Sequence, residues 1–529
     1  MKAKKIIVAL FVLPLLTGCG NKPEPKGDLV IPTVDVDSIT PNLPDKPGYN
    51  TGTILTDGTY DYIDIYQLSD MHGAVNASDK QIGLPKLASY LNEKRKANPG
   101  GTVVVSSGDM FQGSAESNLT RGYMVNYAMN YMGFDSMAVG NHEFDWTDTW
   151  LKKNANLEYK GHKMPFVSAN IVKKGTNNTP DFLSKSVVVE RGGYKIGIVG
   201  SIGEKLKSSI LASCVENYEF INEINAVNAE SARLKEEEHC DVVILTAHDD
   251  IDNLSTLNSE NIDGVFGGHA HVDKTSYIGG VIPAIQTENY GKSIAHIQLK
   301  IEKETKAVSC SVRELDDKPL NLPCLTEDEN VKTIMNSYNG EINKIKELKL
   351  GKAEQTLVYN KALKGICVES MYQGALKGIS SLGLEIKAED ILATFHNVNG
   401  GIRNDIKQGE ITYGDVYSPF PFDNEVVLYK LSGSKFLSKV SKLTGLAARR
   451  TFEKRSDIDP KKDYYIVITD FLATSSEYLL DAFEISEQDL IRTGKVVRDE
   501  VADFIYKKDT IDGSIYSDVA PYKNIPLGF

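Results

Sequence analysis

The sequence predicts an α/β fold, with sheets covered by helices, in two successive domains. Three observations predict it. Short apolar runs alternate with segments of helical spacing from about residue 60 to residue 325, and the alternation resumes after a polar helical stretch at 327–348. Five of the apolar runs in the first part end in clusters of His, Asp or Asn. In an α/β fold ligands bind beyond the carboxyl ends of the strands, so these clusters can converge although nearly 200 residues separate them.

At the start of the chain, Lys2, Lys4 and Lys5 precede the apolar run 6–16. This is the form of an export signal, and it is shorter than the roughly twenty apolar residues of a spanning helix. Leu16-Thr17-Gly18-Cys19 resembles the lipobox of bacterial lipoproteins. The implied protein is exported, lipidated at Cys19 and anchored in the cell envelope on its periplasmic or surface face. Residues 20–59 are rich in Pro, Gly, Asp and Asn and read as a flexible tether.

The first domain is expected at 60–325. A helix at 84–96 stops at Asn98-Pro99-Gly100-Gly101, a strand follows at 102–105, and a helix at 123–132 is closed by Gly133. Strands at 165–170, 195–200 and 241–246 flank a helix at 221–238, and plain strands follow at 282–301 and 308–312. A connecting helix is expected within 326–350, with Val331, Ile334, Met335, Ile342 and Ile345 on its apolar face. The second domain, 351–529, is read as strands at 355–359, 391–395, 425–431 and 464–469 with helices at 367–379, 435–442 and 494–508.

Charge and cysteines exclude some classes. A formal charge of −13 argues against binding nucleic-acid polymers, which are held by clustered Lys and Arg. Beyond Cys19, the residues Cys214, Cys240, Cys310, Cys324 and Cys367 form no CxxC pair and no disulfide framework, and a Cys310–Cys324 bridge stays open.

The chemistry lies at the strand ends. Asp70, His72, Asp109, Asn141, His248, His269 and His271 are oxygen and imidazole donors without a thiolate, a set suited to zinc, manganese, cobalt or iron. Seven donors exceed one tetrahedral ion and suffice for two divalent ions sharing a carboxylate, for which Asp109 is the natural bridge. Such a pair attracts a substrate phosphate and lowers the pKa of a bound water, so the implied reaction is hydrolysis of a phosphate ester by a metal-bound hydroxide. His142, beside Asn141, is assigned to stabilising the phosphoryl group and protonating the leaving oxygen, with Asp145 orienting it.

Together, Asp70-Met71-His72-Gly73, Ser107-Gly108-Asp109, Gly140-Asn141-His142-Glu143-Phe144-Asp145, Ala247-His248 and Gly267-Gly268-His269-Ala270-His271 resemble the calcineurin-like metallophosphoesterase signature as spelled in bacterial 5′-nucleotidases. The resemblance implies a four-layer α/β/β/α sandwich with a dinuclear metal site, followed by a substrate-binding C-terminal domain that rotates over the metals. In that second domain Asn399-Gly400-Gly401-Ile402-Arg403 is similar to the family's glycine-rich loop and substrate-binding Arg. The segments containing Phe422 and Phe471 resemble those whose aromatics stack the base, an interaction contributing about 1 to 3 kcal/mol.

Three departures touch the pocket. Ser475-Ser476-Glu477 replaces a Gly-Gly-Asp stretch, with Glu477 in the ribose-binding acid's place. Lys364 stands near a second substrate-binding Arg, and Val398 stands where many relatives carry a base-contacting Asn. The resemblance implies a 5′-nucleotidase acting on nucleoside monophosphates. A 2′,3′-cyclic phosphodiesterase or nucleotide-sugar pyrophosphatase would use the same metal ligands with another pocket. A surface protein that binds nucleotides with little turnover would be expected to have lost ligands, and none of the seven is missing.

Overall fold

The structure is a computed structural model describing residues 26–316, 325–443, 445–474, 483–517 and 522. The signal residues 1–19 with Cys19, and also Cys324 and Ser475-Ser476-Glu477, lie outside the described residues.

Two sheets face each other in the first domain. In the first, the strands run in the order Val308–Asp316, Ile294–Glu302, Tyr60–Leu68, Thr102–Ser106, Ser136–Ala138, Phe166–Val167, with Leu55–Thr56 paired beside Tyr60–Leu68. The last four of that order are parallel, so their carboxyl ends lie on one edge. The second sheet runs Lys274–Ile278, Ile282–Gln286, Gly264–Gly267, Val242–His248, Tyr194–Ile202, Ser186–Arg191. Ile63, Ile65, Val103 and Val105 from one sheet meet Ile196, Ile198, Val242, Ile244 and Phe266 from the other in an apolar layer. The alternation of these positions along each strand follows from the two-residue period of the pleat.

Helices cover both outer faces. Leu84–Ala97, Tyr123–Met132 and Glu329–Lys346 contribute to the core on the first sheet. Glu223–Glu236 buries Val227 and Leu234 against the second. This is the expected α/β/β/α arrangement. All five apolar positions read from the connecting segment are buried in Glu329–Lys346, and Asp328 caps it by accepting from the Asn330 and Val331 amides.

The second domain carries a five-stranded sheet in the order Leu446–Arg450, Ile391–Asn397, Asp463–Thr469, Glu425–Ser432, Leu490–Val496. Helices Lys364–Ser381 and Val497–Lys508 pack together, and the former lies against the sheet. Two elements differ from expectation. The strand read at 355–359 is displaced to Lys349–Ala353, where it pairs with Gly409–Thr412 and Thr510–Ile511. The final helix begins at Val497 because 490–496 forms the edge strand beside Glu425–Ser432.

Residues 26–59 also correct an expectation, because this stretch is a strap and not a free tether. Lys26 and Lys507 form ion pairs with Asp509 and Asp28, and the Leu29 amide donates to Asp503, all on the second domain. Farther on, Val36 is buried in the first domain's core, the Asn42 amide donates to Ser337, and Arg95 stacks on Tyr49. A few apolar and aromatic side chains among the prolines suffice to hold the segment down.

Candidate active site

The predicted strand ends converge. Asp70, His72, Asp109, His269 and His271 all have positive φ, between 46 and 67°. Backbone in this region is strained for non-glycine residues and persists where the surroundings enforce it. Here the loops enforce one another: the Asp70 amide donates to the Gly108 carbonyl and the His72 amide to the Asp109 carbonyl, both at 3.0 Å. Gly140 is required by close approach, since a Cβ there would stand 2.3 Å from Asp109 Oδ1.

Three overlapping triads each bring their donor atoms within 4.8 Å of one another: Asp70, His72 and His271; His72, Asp109 and His142; Asp109, His248 and His269. Backbone contacts aim the rings. His248 Nδ1 lies 2.7 Å from the Ser107 carbonyl, which leaves Nε2 facing Asn141 Oδ1 and Asp109 Oδ2, each at 3.1 Å. His72 Nδ1 lies 3.0 Å from the Gln112 carbonyl, and its Nε2 stands 3.0 Å from His271 Nε2.

The donor set fits divalent cations. Asp70 Oδ1 and Asp109 Oδ2 are buried without a hydrogen-bond partner, and a buried carboxylate oxygen left so is costly unless a cation meets it. Both atoms point toward imidazole nitrogens: Asp70 Oδ1 is 3.2 Å from His271 Nε2, and Asp109 Oδ2 is 4.0 Å from His142 Nε2.

His142 stands beside this cluster on a short 3-10 turn, His142–Phe144. Its Nδ1 lies 2.8 Å from Asp145 Oδ2, and its amide donates to Asp109 Oδ1. Burial opposes the imidazolium, but Asp145 and Asp109 outweigh it and push the pKa up to about 9. Glu143 was not singled out in the sequence. It is buried and accepts from the Asp109, Met110 and Gly140 amides, so one carboxylate ties two ligand loops together. Burial, followed by the neighbouring Asp109, raises its pKa to about 7.

A cavity of about 200 Å³ opens next to His142. Asn399, Gly400, Gly401, Arg403, Phe422 and Phe471, the residues read from the sequence as candidate substrate contacts, all line it. The Phe422 ring stacks on His142 with centroids 5.8 Å apart, and the Arg403 guanidinium lies 5.2 Å from the Phe422 centroid. Lys364 is not brought here. It begins the helix Lys364–Ser381 and is buried in the second domain, and it is not among the residues that line this cavity. Glu477 lies outside the described residues.

Other lining residues carried no signal in the sequence. Trp146, Asn397, Asp423 and Asp470 are among them. Asn397 is buried with Oδ1 unpartnered, one position before Val398. Asp423 is held by Arg498 and Arg121, which overcome burial and lower its pKa to about 2. Burial pushes Asp470 the other way, up to about 6.

Comparison with known proteins agrees with this geometry. Residues 63–273 match the calcineurin-like phosphoesterase family and residues 387–441 the 5′-nucleotidase C-terminal domain. The chain is 24% identical over 471 residues to endonuclease YhcR of Bacillus subtilis, covering 78% of this chain and 37% of that protein, so it spans well under half of that relative's length. It is 25% identical over 397 residues to the 5′-nucleotidase of Bos taurus, covering 69% of this chain and 67% of the relative. The fold matches the crystal structure of a 5′-nucleotidase precursor from Thermus thermophilus with a TM-score of 0.66 at 18% identity, covering 85% and 97% of the two chains. With a calcineurin-like phosphoesterase domain followed by a 5′-nucleotidase C-terminal domain, the chain belongs to the 5′-nucleotidase family of metal-dependent phosphoesterases.

Proposed function

We propose that the protein is an exported phosphohydrolase that releases phosphate from nucleoside 5′-monophosphates. The observation that carries this reading is the position of His142, which is shared by the metal-ligand cluster and by an aromatic-walled cavity. Asp70, His72, Asp109, Asn141, His248, His269 and His271 would hold two divalent ions, whose charge would offset that of the phosphate and lower the pKa of a bound water.

The chain's own residues do the rest. Phe422 and Phe471 on the cavity wall suit a planar base, and Arg403 meets the phosphate with a guanidinium that carries no ion pair among the described residues. His142, oriented at Nδ1 by Asp145, donates to the oxygen that leaves with the nucleoside. Asp145 fixes the ring so that Nε2 faces the reacting phosphate.

Attachment to a membrane through lipidated Cys19 is part of the proposal and rests on the lipobox-like sequence. Among the described residues no helix is long and apolar enough to cross a membrane.

The test is phosphate release from AMP, UMP, cyclic nucleotides, UDP-glucose and an aryl phosphate with added manganese or zinc, alongside His142→Ala. Strong release from the monophosphates that collapses in the variant supports the reading. Release from the aryl phosphate alone contradicts a nucleotide substrate.

A further inference from the structure

The strap fixes which side of the molecule a lipid on Cys19 would hold to a membrane. Leu29 and Ile31 pack against the core of the second domain, and the Leu29 amide donates to Asp503 Oδ1 at 2.8 Å. Farther on, Val34 packs against both cores and Val36 is buried in the first, so lengthening the tether would strip apolar contacts from both domains. Leu29 follows Cys19 by ten positions. Such a stretch spans at most about 35 Å when fully extended. A compact chain of this length has a radius of gyration of about 24 Å and a breadth of about 60 Å. The tether is therefore too short for the far side of the molecule to turn to the bilayer, and the corner where the strap docks lies nearest to it.

The chemistry of that corner permits the approach. A chain of formal charge −13 is repelled by anionic headgroups, so the charge of the approaching face decides. Here the carboxylates are matched. Asp509 pairs with Lys26 at 2.6 Å, and Lys507 is held by Asp28 of the strap and by Asp503. Lys352 lies beside Asp509, whose carbonyl accepts its amide, and Lys508 precedes Asp509 in the chain. Lys352 and Lys508 are exposed, carry no ion pair among the described residues and stand against the exposed carboxylate of Glu354. Between the docked side chains of Leu29 and Ile31, Val30 is 82% exposed.

We propose that this corner of the second domain, formed by Lys26, Val30, Lys352 and Lys508, is the face the protein lays against lipid headgroups. The proposal rests on the membrane-attachment reading above and deepens it, because the strap turns a point of attachment into an orientation. Lys352 and Lys508 meet anionic headgroups, and Val30 offers an apolar contact at the same surface. The first domain then stands on the side away from the bilayer.

Acylation of exposed lysines by a water-soluble reagent, read peptide by peptide by mass spectrometry, tests this on the full chain in vesicles of phosphatidylcholine and phosphatidylglycerol. The reference is the same protein in a non-ionic detergent. Lys352 and Lys508 should react about fivefold more slowly on the vesicles, the effect of one lysine held at an anionic bilayer surface. Lys163 and Lys205, exposed on the first domain, should keep their detergent rates. Equal slowing of all four, slowing of none, or slowing of the first-domain pair alone would overturn the proposal. So would slowing of Lys352 and Lys508 in detergent as protein concentration rises, which would make the corner a contact between two copies. Partition into a phase-separating detergent reports separately on the anchor. A chain that stays in the aqueous phase rejects lipidated Cys19 and this proposal together, and one that enters the detergent phase without the difference in lysine rates rejects this proposal alone.

Discussion

Arg121 donates from Nη1 to Asp423 Oδ2 at 2.7 Å, across the boundary between the two domains. The other oxygen of Asp423 accepts from Arg498 Nη2 at 2.6 Å, and Asn118 Nδ2 donates to the Pro421 carbonyl at 2.8 Å. The Pro421-Phe422-Asp423 loop is therefore held from both domains, with Phe422 stacked on His142.

Arg121→Ala should raise KM for nucleoside monophosphates more than it lowers kcat. The pair is about one-third exposed on each side, so its loss is worth about 1 kcal/mol, or roughly fivefold in KM. Aryl phosphate, which does not need the aromatic cavity, should be affected less. Steady-state kinetics on both substrates checks the split, and equal losses would remove the loop from substrate positioning.

His142→Ala and Asp145→Asn should each lower kcat by roughly 10²- to 10⁴-fold, the usual range for a lost proton donor. Metal content by elemental analysis should stay unchanged in Asp145→Asn, because its carboxylate is not among the ligand triads.

The convergence of the candidate metal ligands was legible because each sits just after an apolar run, and two of the runs end in paired donors two residues apart. The loop on which they meet was not, since Glu143 organises it through three backbone amides that no spacing rule reports. Arg121 and Asp423 are 302 residues apart, and nothing local marks either. The depth of Lys364 depends on how the helix Lys364–Ser381 packs, which no local pattern reports, and the second domain's strand near 349–359 shifted because short apolar runs fix existence better than position.

The strap was misread for a compositional reason. Pro and Gly dominate residues 26–59, and the side chains that anchor it are few. Val36→Ala should cost about 1 to 3 kcal/mol in urea unfolding, the range for removing buried methyl groups. A free tether would leave the midpoint unchanged.

His396 gives stability a defined pH dependence. It is buried, and burial lowers its pKa to about 4, against 6.5 in an open chain. Between these values the unfolded chain binds the extra proton, so stability is complete above pH 6.5 and falls as pH drops toward 4. The loss from this group should be on the order of 3 kcal/mol by pH 4. His396→Phe should flatten that part of the curve, whatever its effect at neutral pH, as measured by denaturant midpoints across the range.

The central claim is that the converging histidines and carboxylates hold metal ions that serve nucleotide hydrolysis. The most direct measurement strips the protein with a chelator, reloads it with manganese or zinc, and follows metal stoichiometry and phosphate release from AMP together. The account predicts no release from the stripped protein, recovery as two ions bind, and neither binding nor recovery in a variant lacking both Asp109 and His248. Release of phosphate by the stripped protein, or full recovery in that variant, would contradict it.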